Sequence, residues 1–88
     1  MELSDEVLDR LARVVGPDSR VLPSFLRSLR GFRTKEELSR ELGVSPQMVK
    51  YLLGKLRRYG LLRTCRMEGK KHSALEPAAV GSLVGGGG

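Results

Sequence analysis

Residues 34–60, TKEELSRELGVSPQMVKYLLGKLRRYG, leave this chain little choice of local structure. Thr34 opens a helix as its N-cap, and Glu37 three residues later completes a capping box, each side chain satisfying a backbone N–H of the other residue. Leu38 and Leu42 fall at helical spacing and point inward. Gly43 follows at once, the residue type that adopts a left-handed conformation without steric penalty. Ser45 caps a second helix, with Pro46 at the first position, where the absence of an N–H does no harm. Val49, Leu52 or Leu53, and Leu56 supply its inward face, Tyr59 extends that face, and Gly60 closes the helix. Two helices therefore follow one another with no spare residues, and the second carries most of the positive charge.

The flanking segments are shorter and plainer. ELSDEVLDRLARVVG predicts an amphipathic helix with Ser4 as N-cap and Asp5 and Glu6 in the first turn, where the helix dipole favours acids. Gly16-Pro17 stops it. Asp18 or Ser19 caps a second helix to about Leu29, with Val21, Leu22, Phe25, Leu26 and Leu29 on its apolar face. Phe32-Arg33 reads as a short extended piece that pairs with a later strand. Leu61–Met67 alternates as a strand, Glu68-Gly69-Lys70-Lys71 turns, and His72–Leu75 returns. Three regions result: a helix over 1–16, a domain over 17–77, and a Gly-rich tail over 78–88 expected to be mobile.

Composition narrows the function classes. Eighty-eight residues make one small domain, and with two Phe, two Tyr and no Trp its core must be built from leucine and valine. No stretch approaches the roughly 18 apolar residues of a membrane span, and the acidic N-terminus is unlike a signal peptide. The single Cys65 makes no internal disulfide. An intracellular, cytoplasmic protein is expected. No catalytic constellation and no phosphate-cradling glycine loop is present, and His72 has no companion at metal-ligand spacing. The expectation is a non-enzyme with no cofactor and no metal. Charge is the stronger signal. Residues 1–43 hold eight acids and eight Lys/Arg, whereas residues 44–73 hold eight Lys/Arg against Glu68 alone, a net +7. A balanced half joined to a basic half points to a polyanionic partner.

The layout of residues 34–60 is that of a helix-turn-helix, and the basic hairpin after it supplies a wing. Residues 20–76 resemble the winged helix-turn-helix domain of bacterial and archaeal transcription regulators, in the style of the ArsR and MarR families. The runs TKEELSRELGVSPQMVKYLLGKL and RRYGLLRT carry that resemblance. It implies a mainly α fold with a small β-hairpin wing and an extra N-terminal helix, and sequence-specific binding of double-stranded DNA. The recognition helix then maps onto residues 45–58, with Ser45, Gln47, Met48, Lys50, Tyr51, Lys55 and Arg58 outward. Gln47 suits adenine N6 and N7, and Lys50 suits guanine O6 or N7. Met48 and Tyr51 suit thymine methyls or sugar edges. Ser45 suits a phosphate at the helix N-terminus, and Lys55 and Arg58 suit phosphates. In the wing, residues 62–76, Arg63, Arg66, Lys70 and Lys71 are placed for the backbone or minor groove. Gly54 is awkward inside a helix.

Regulators of this kind bind as two-fold dimers, since one winged domain contacts few bases. Leu3, Val7, Leu8, Leu11 and Val14 of the first helix are the expected homodimer interface. No small-molecule effector is identifiable. Two alternatives stay open at this level: a protein-interaction module within a transcription or replication assembly, and an architectural DNA binder without a preferred site.

Overall fold

A computed structural model describes residues 2–85. These form α1 (Asp5–Val15), α2 (Leu22–Ser28), α3 (Lys35–Leu42), α4 (Pro46–Arg58), β1 (Leu62–Met67), β2 (Lys70–Leu75) and α5 (Pro77–Val84). The fold class is the expected one, helices around a leucine-rich core with one antiparallel hairpin. Among the described residues no helix is long and apolar enough to cross a membrane.

Capping sets most helix starts. Ser4 Oγ accepts from the Val7 N–H at 3.2 Å, and Ser19 Oγ, the acceptor that serves α2, takes the Leu22 N–H at 3.1 Å. α1 and α2 pack together through Leu8, Leu11, Ala12 and Val15 on one side and Leu22, Phe25 and Leu26 on the other. Arg27 pairs with Asp9 at 3.7 Å and Arg30 with Asp5 across the same seam. These pairs are exposed, so they orient the helices more than they stabilise them.

The capping box of α3 is complete. Thr34 Oγ1 accepts from the Glu37 N–H at 3.1 Å, and Glu37 Oε1 accepts from the Thr34 N–H at 2.8 Å. That second bond, with smaller contributions from the Thr34 hydroxyl, His72 and Arg33, holds the Glu37 carboxyl below its ordinary pKa. The resulting stabilisation is complete above the unfolded value of about 4.3 and is lost as pH falls through the lowered folded value. Glu37→Gln retains an acceptor but removes the titration, so its urea midpoint is expected to depend less on pH in the acid range. Identical pH profiles for both proteins would refute this.

Gly43 adopts φ +64° at the end of α3. Ser39 pins the turn, its Oγ donating to Val44 O at 2.6 Å while its carbonyl accepts the Val44 N–H at 3.2 Å. α4 starts on Ser45, whose Oγ takes the Met48 N–H at 3.1 Å, and buries Val49, Leu52, Leu53 and Leu56. Tyr59 does not extend this inward face; it is 45% exposed. The helix ends at Arg58, the chain turns through Gly60 at φ +71°, and Leu61 takes the buried place instead.

The hairpin is tighter than expected. Only Glu68 and Gly69 turn, with φ +53° and +76°, the left-handed pair that suits a two-residue hairpin loop. Lys70 and Lys71 therefore begin β2, opposite Met67 and Arg66. The expected pairing of the Phe32-Arg33 segment is present: Arg33 and Ser73 exchange both backbone hydrogen bonds at 2.9 Å. With Leu75 N–H to Leu29 O at 2.9 Å and Glu76 N–H to Leu61 O at 2.8 Å, the root of the wing is tied to the helical body.

Two expectations are corrected. The tail expected to be mobile over 78–88 is helical through α5, where Glu76 caps the Ala78 N–H, Pro77 sits at the first position and Val80 is fully buried. α5 packs on α1, and that burial outweighs its poor intrinsic helix propensity. Gly86–Gly88 lie outside the described residues. The expected dimer face is also divided. Leu8 and Leu11 are fully buried in their own domain, Leu3 and Val7 are partly buried against it, and only Val14, 47% exposed, faces clearly outward.

Candidate nucleic-acid interface

α4 presents a continuous outward face because its apolar residues are confined to the opposite side. Gln47, Met48, Lys50, Tyr51 and Arg58 are all exposed, Tyr51 to 56%. Ser45 is exposed too, but its hydroxyl is engaged as the cap. Lys55 is only half exposed and leans inward. Its ammonium lies 6.0 Å from the Tyr51 ring centre and beside Gly16, 3.4 Å from where a side chain there would begin.

The wing separates into engaged and free cations. Arg63 is held at the root, 3.8 Å from a Glu76 carboxylate oxygen and 5.5 Å from the Phe32 ring centre. Arg66 folds onto the turn, donating to Gly69 O at 3.2 Å. Lys70 and Lys71 are exposed with no ion-pair partner among the described residues.

Structure adds three cations that sequence reading passed over, Lys35, Arg40 and Arg57. Lys35, Glu36, Lys70, Lys71 and Ser73 line one shallow depression, and Lys35, Glu36, Ser39, Arg40, Pro46 and Lys50 line another. Lys35 and Glu36 are common to both, so the start of α3 joins the wing to the start of α4. Lys35 and Arg40 were hidden by their place in the half of the chain whose charges cancel. In three dimensions the cancellation is incomplete, because two of the nearby acids have partners of their own. Glu37 faces back onto Thr34, and Glu41 pairs with Arg33 at 3.4 Å. Helical spacing was the available signal: Lys35, Ser39 and the start of the next helix share one side of α3. Glu36 and Glu68 remain exposed on this surface, and both line a depression with Arg40 and Lys70.

The ion pairs of the described residues join Arg10 to Glu6, Arg27 to Asp9, Arg30 to Asp5, Arg33 to Glu41 and Arg63 to Glu76. None involves Lys35, Arg40, Lys50, Arg57, Arg58, Lys70 or Lys71. Seven cations without an ion-pair partner among the described residues thus lie on α3, α4 and the wing.

No protein-family model matches the chain, and no curated protein matches it by sequence. Solved structures do match. NolR from Sinorhizobium fredii superposes with a TM-score of 0.67 at 19% identity, over 98% of this chain and 91% of that one. The homodimeric winged helix-turn-helix DNA-binding domain of Mb0332 from Mycobacterium bovis, a possible ArsR-family transcriptional regulator, superposes with a TM-score of 0.64. Its identity is 23%, over 97% of this chain and 81% of that domain. The chain therefore has the winged helix-turn-helix fold, with α3 and α4 as its two motif helices and β1–β2 as its wing.

Proposed function

We propose that this protein is a transcription regulator that binds double-stranded DNA as a homodimer, inserting α4 into the major groove. The observation that carries this reading is the set of seven unpaired cations around the exposed face of α4. Gln47 and Lys50 read base edges at the N-terminal end of α4, and Met48 and Tyr51 pack against methyls or sugars. Lys35, Arg58, Lys70 and Lys71 meet phosphates, fixing register without reading sequence. Lys55, Arg63 and Arg66 have intramolecular partners and contribute mainly to local structure and the field.

For the dimer, the described surface favours a face shared by α1 and α5. Val14 and Leu83, 36% exposed, are the large apolar side chains left outward on these two packed helices. The homodimeric state of the Mycobacterium bovis domain supports a dimer, without indicating its face. Sedimentation at micromolar concentration should give a dimer; a monomer that stays monomeric on DNA would refute it.

In vitro selection from random duplexes tests the function. An enriched two-fold palindrome is expected. Affinity without enrichment would indicate an architectural binder, and no affinity for duplexes would turn attention to an assembly role.

A further inference from the structure

The glycines that shape the turns of this fold have local reasons. Gly43, Gly60 and Gly69 take φ values of +64°, +71° and +76°, where a side chain is strained. Gly16 is crowded, with Leu22 Cδ2 3.1 Å from where its own Cβ would lie. Gly54 has neither reason. It lies inside Pro46–Arg58 with no left-handed φ, and nothing approaches within 4 Å of where its Cβ would be. Glycine inside a helix is destabilising relative to alanine. The fold by itself gives no account of this residue.

Its position does. At about 3.6 residues per turn, Gln47, Tyr51, Gly54 and Arg58 form one stripe, opposite the buried Val49, Leu52, Leu53 and Leu56. Gly54 is a notch in the middle of that stripe. One turn before it stand Lys50 and Tyr51, and one turn after it stand the exposed Arg57 and Arg58. A missing side chain at a charged, outward position permits close approach of a ligand to the helix backbone.

We infer that Gly54 is the point of closest approach between α4 and the floor of the major groove. Lys50 and Gln47 reach base edges one and two turns earlier, and Arg58 meets a phosphate one turn later. The notch between them sets how deeply the helix seats, and any side chain there lifts it. This inference rests on α4 being the groove helix and adds a residue that determines the depth of binding.

The test measures two properties of Gly54→Ala and Gly54→Leu. Thermal unfolding of Gly54→Ala should show a Tm raised by roughly 2–6 °C, since nothing in the fold opposes the added methyl. Binding to the duplex selected by the unmodified protein should weaken by about tenfold in Gly54→Ala, roughly the worth of one lost base contact. Gly54→Leu should weaken it further. Binding to a mixed-sequence duplex should change little in either variant. Unchanged affinity of both variants for the selected duplex would overturn the inference while leaving the groove reading intact. A lowered Tm in Gly54→Ala would also overturn it. Failure of the unmodified protein to bind any duplex would refute the groove reading itself, and the inference with it.

Discussion

Raising the salt concentration from about 50 to about 200 mM is expected to weaken duplex binding by roughly 10³–10⁵-fold. The estimate follows from the surface charge. Lys35, Arg58, Lys70 and Lys71 are exposed and without ion-pair partners among the described residues. Two protomers would then bring about eight phosphate contacts, within the range for which counterion release gives that dependence. The variants divide by role. Lys71→Ala should lower affinity for all sequences alike and reduce the salt slope by about one per contact removed. Lys50→Ala should relax preference at one base position by about 1–3 kcal/mol and leave the mixed-sequence affinity nearly unchanged. Arg63→Ala should alter the slope least, because Arg63 is already held by Glu76 and Phe32. Fluorescence anisotropy across a salt series measures all of these, and a flat dependence would contradict the assigned surface.

How much of this was legible in the sequence depended on whether the signal was local. Thr34, Glu37, Gly43 and Ser45 act on backbone groups within three or four residues, so their roles could be read directly and are present in the structure. That the Phe32-Arg33 segment pairs with the hairpin was also legible, since an extended dipeptide before α3 has few other partners, but the Ser73 register was not. Where partners are distant, the sequence was silent. Nothing near Arg63 in the chain shows that Phe32 and Glu76 will occupy it, or that Lys55 will lean toward Gly16. Leu8 and Leu11 carry the same apolar signal as Val14, and only packing against α2 and the core separates the buried from the exposed. α5 was obscured differently. Glu76-Pro77 repeats the cap-then-proline start of Ser45-Pro46, but the glycines that follow make the segment read as a tail. The cations of α3 were lost to averaging, because summed charge along a segment ignores which way each side chain faces.

The largest effect on stability is expected from Phe25→Ala. Phe25 lies on α2 with no exposed surface and belongs to the core cluster that also includes Leu8, Leu11, Leu26, Leu29 and Leu38. α2 packs against both α1 and α3, so a void at Phe25 opens between three elements. Truncating a buried Phe costs about 3–5 kcal/mol through lost transfer energy and incomplete collapse of the cavity. A domain of this length is stable by only about 4–13 kcal/mol, so the variant should lose a large part of its stability. Tyr51→Ala, at a side chain 56% exposed, should shift stability by no more than about 0.5 kcal/mol. The two variants should also lose DNA binding for different reasons. In Phe25→Ala the loss should follow the fraction unfolded and recover at lower denaturing stress; in Tyr51→Ala it should persist in a fully folded protein. Urea unfolding followed by circular dichroism, run beside the anisotropy assay, separates these outcomes. A loss below about 1 kcal/mol in Phe25→Ala would contradict the packing of α2 described above, because only a site able to collapse around the void would tolerate it.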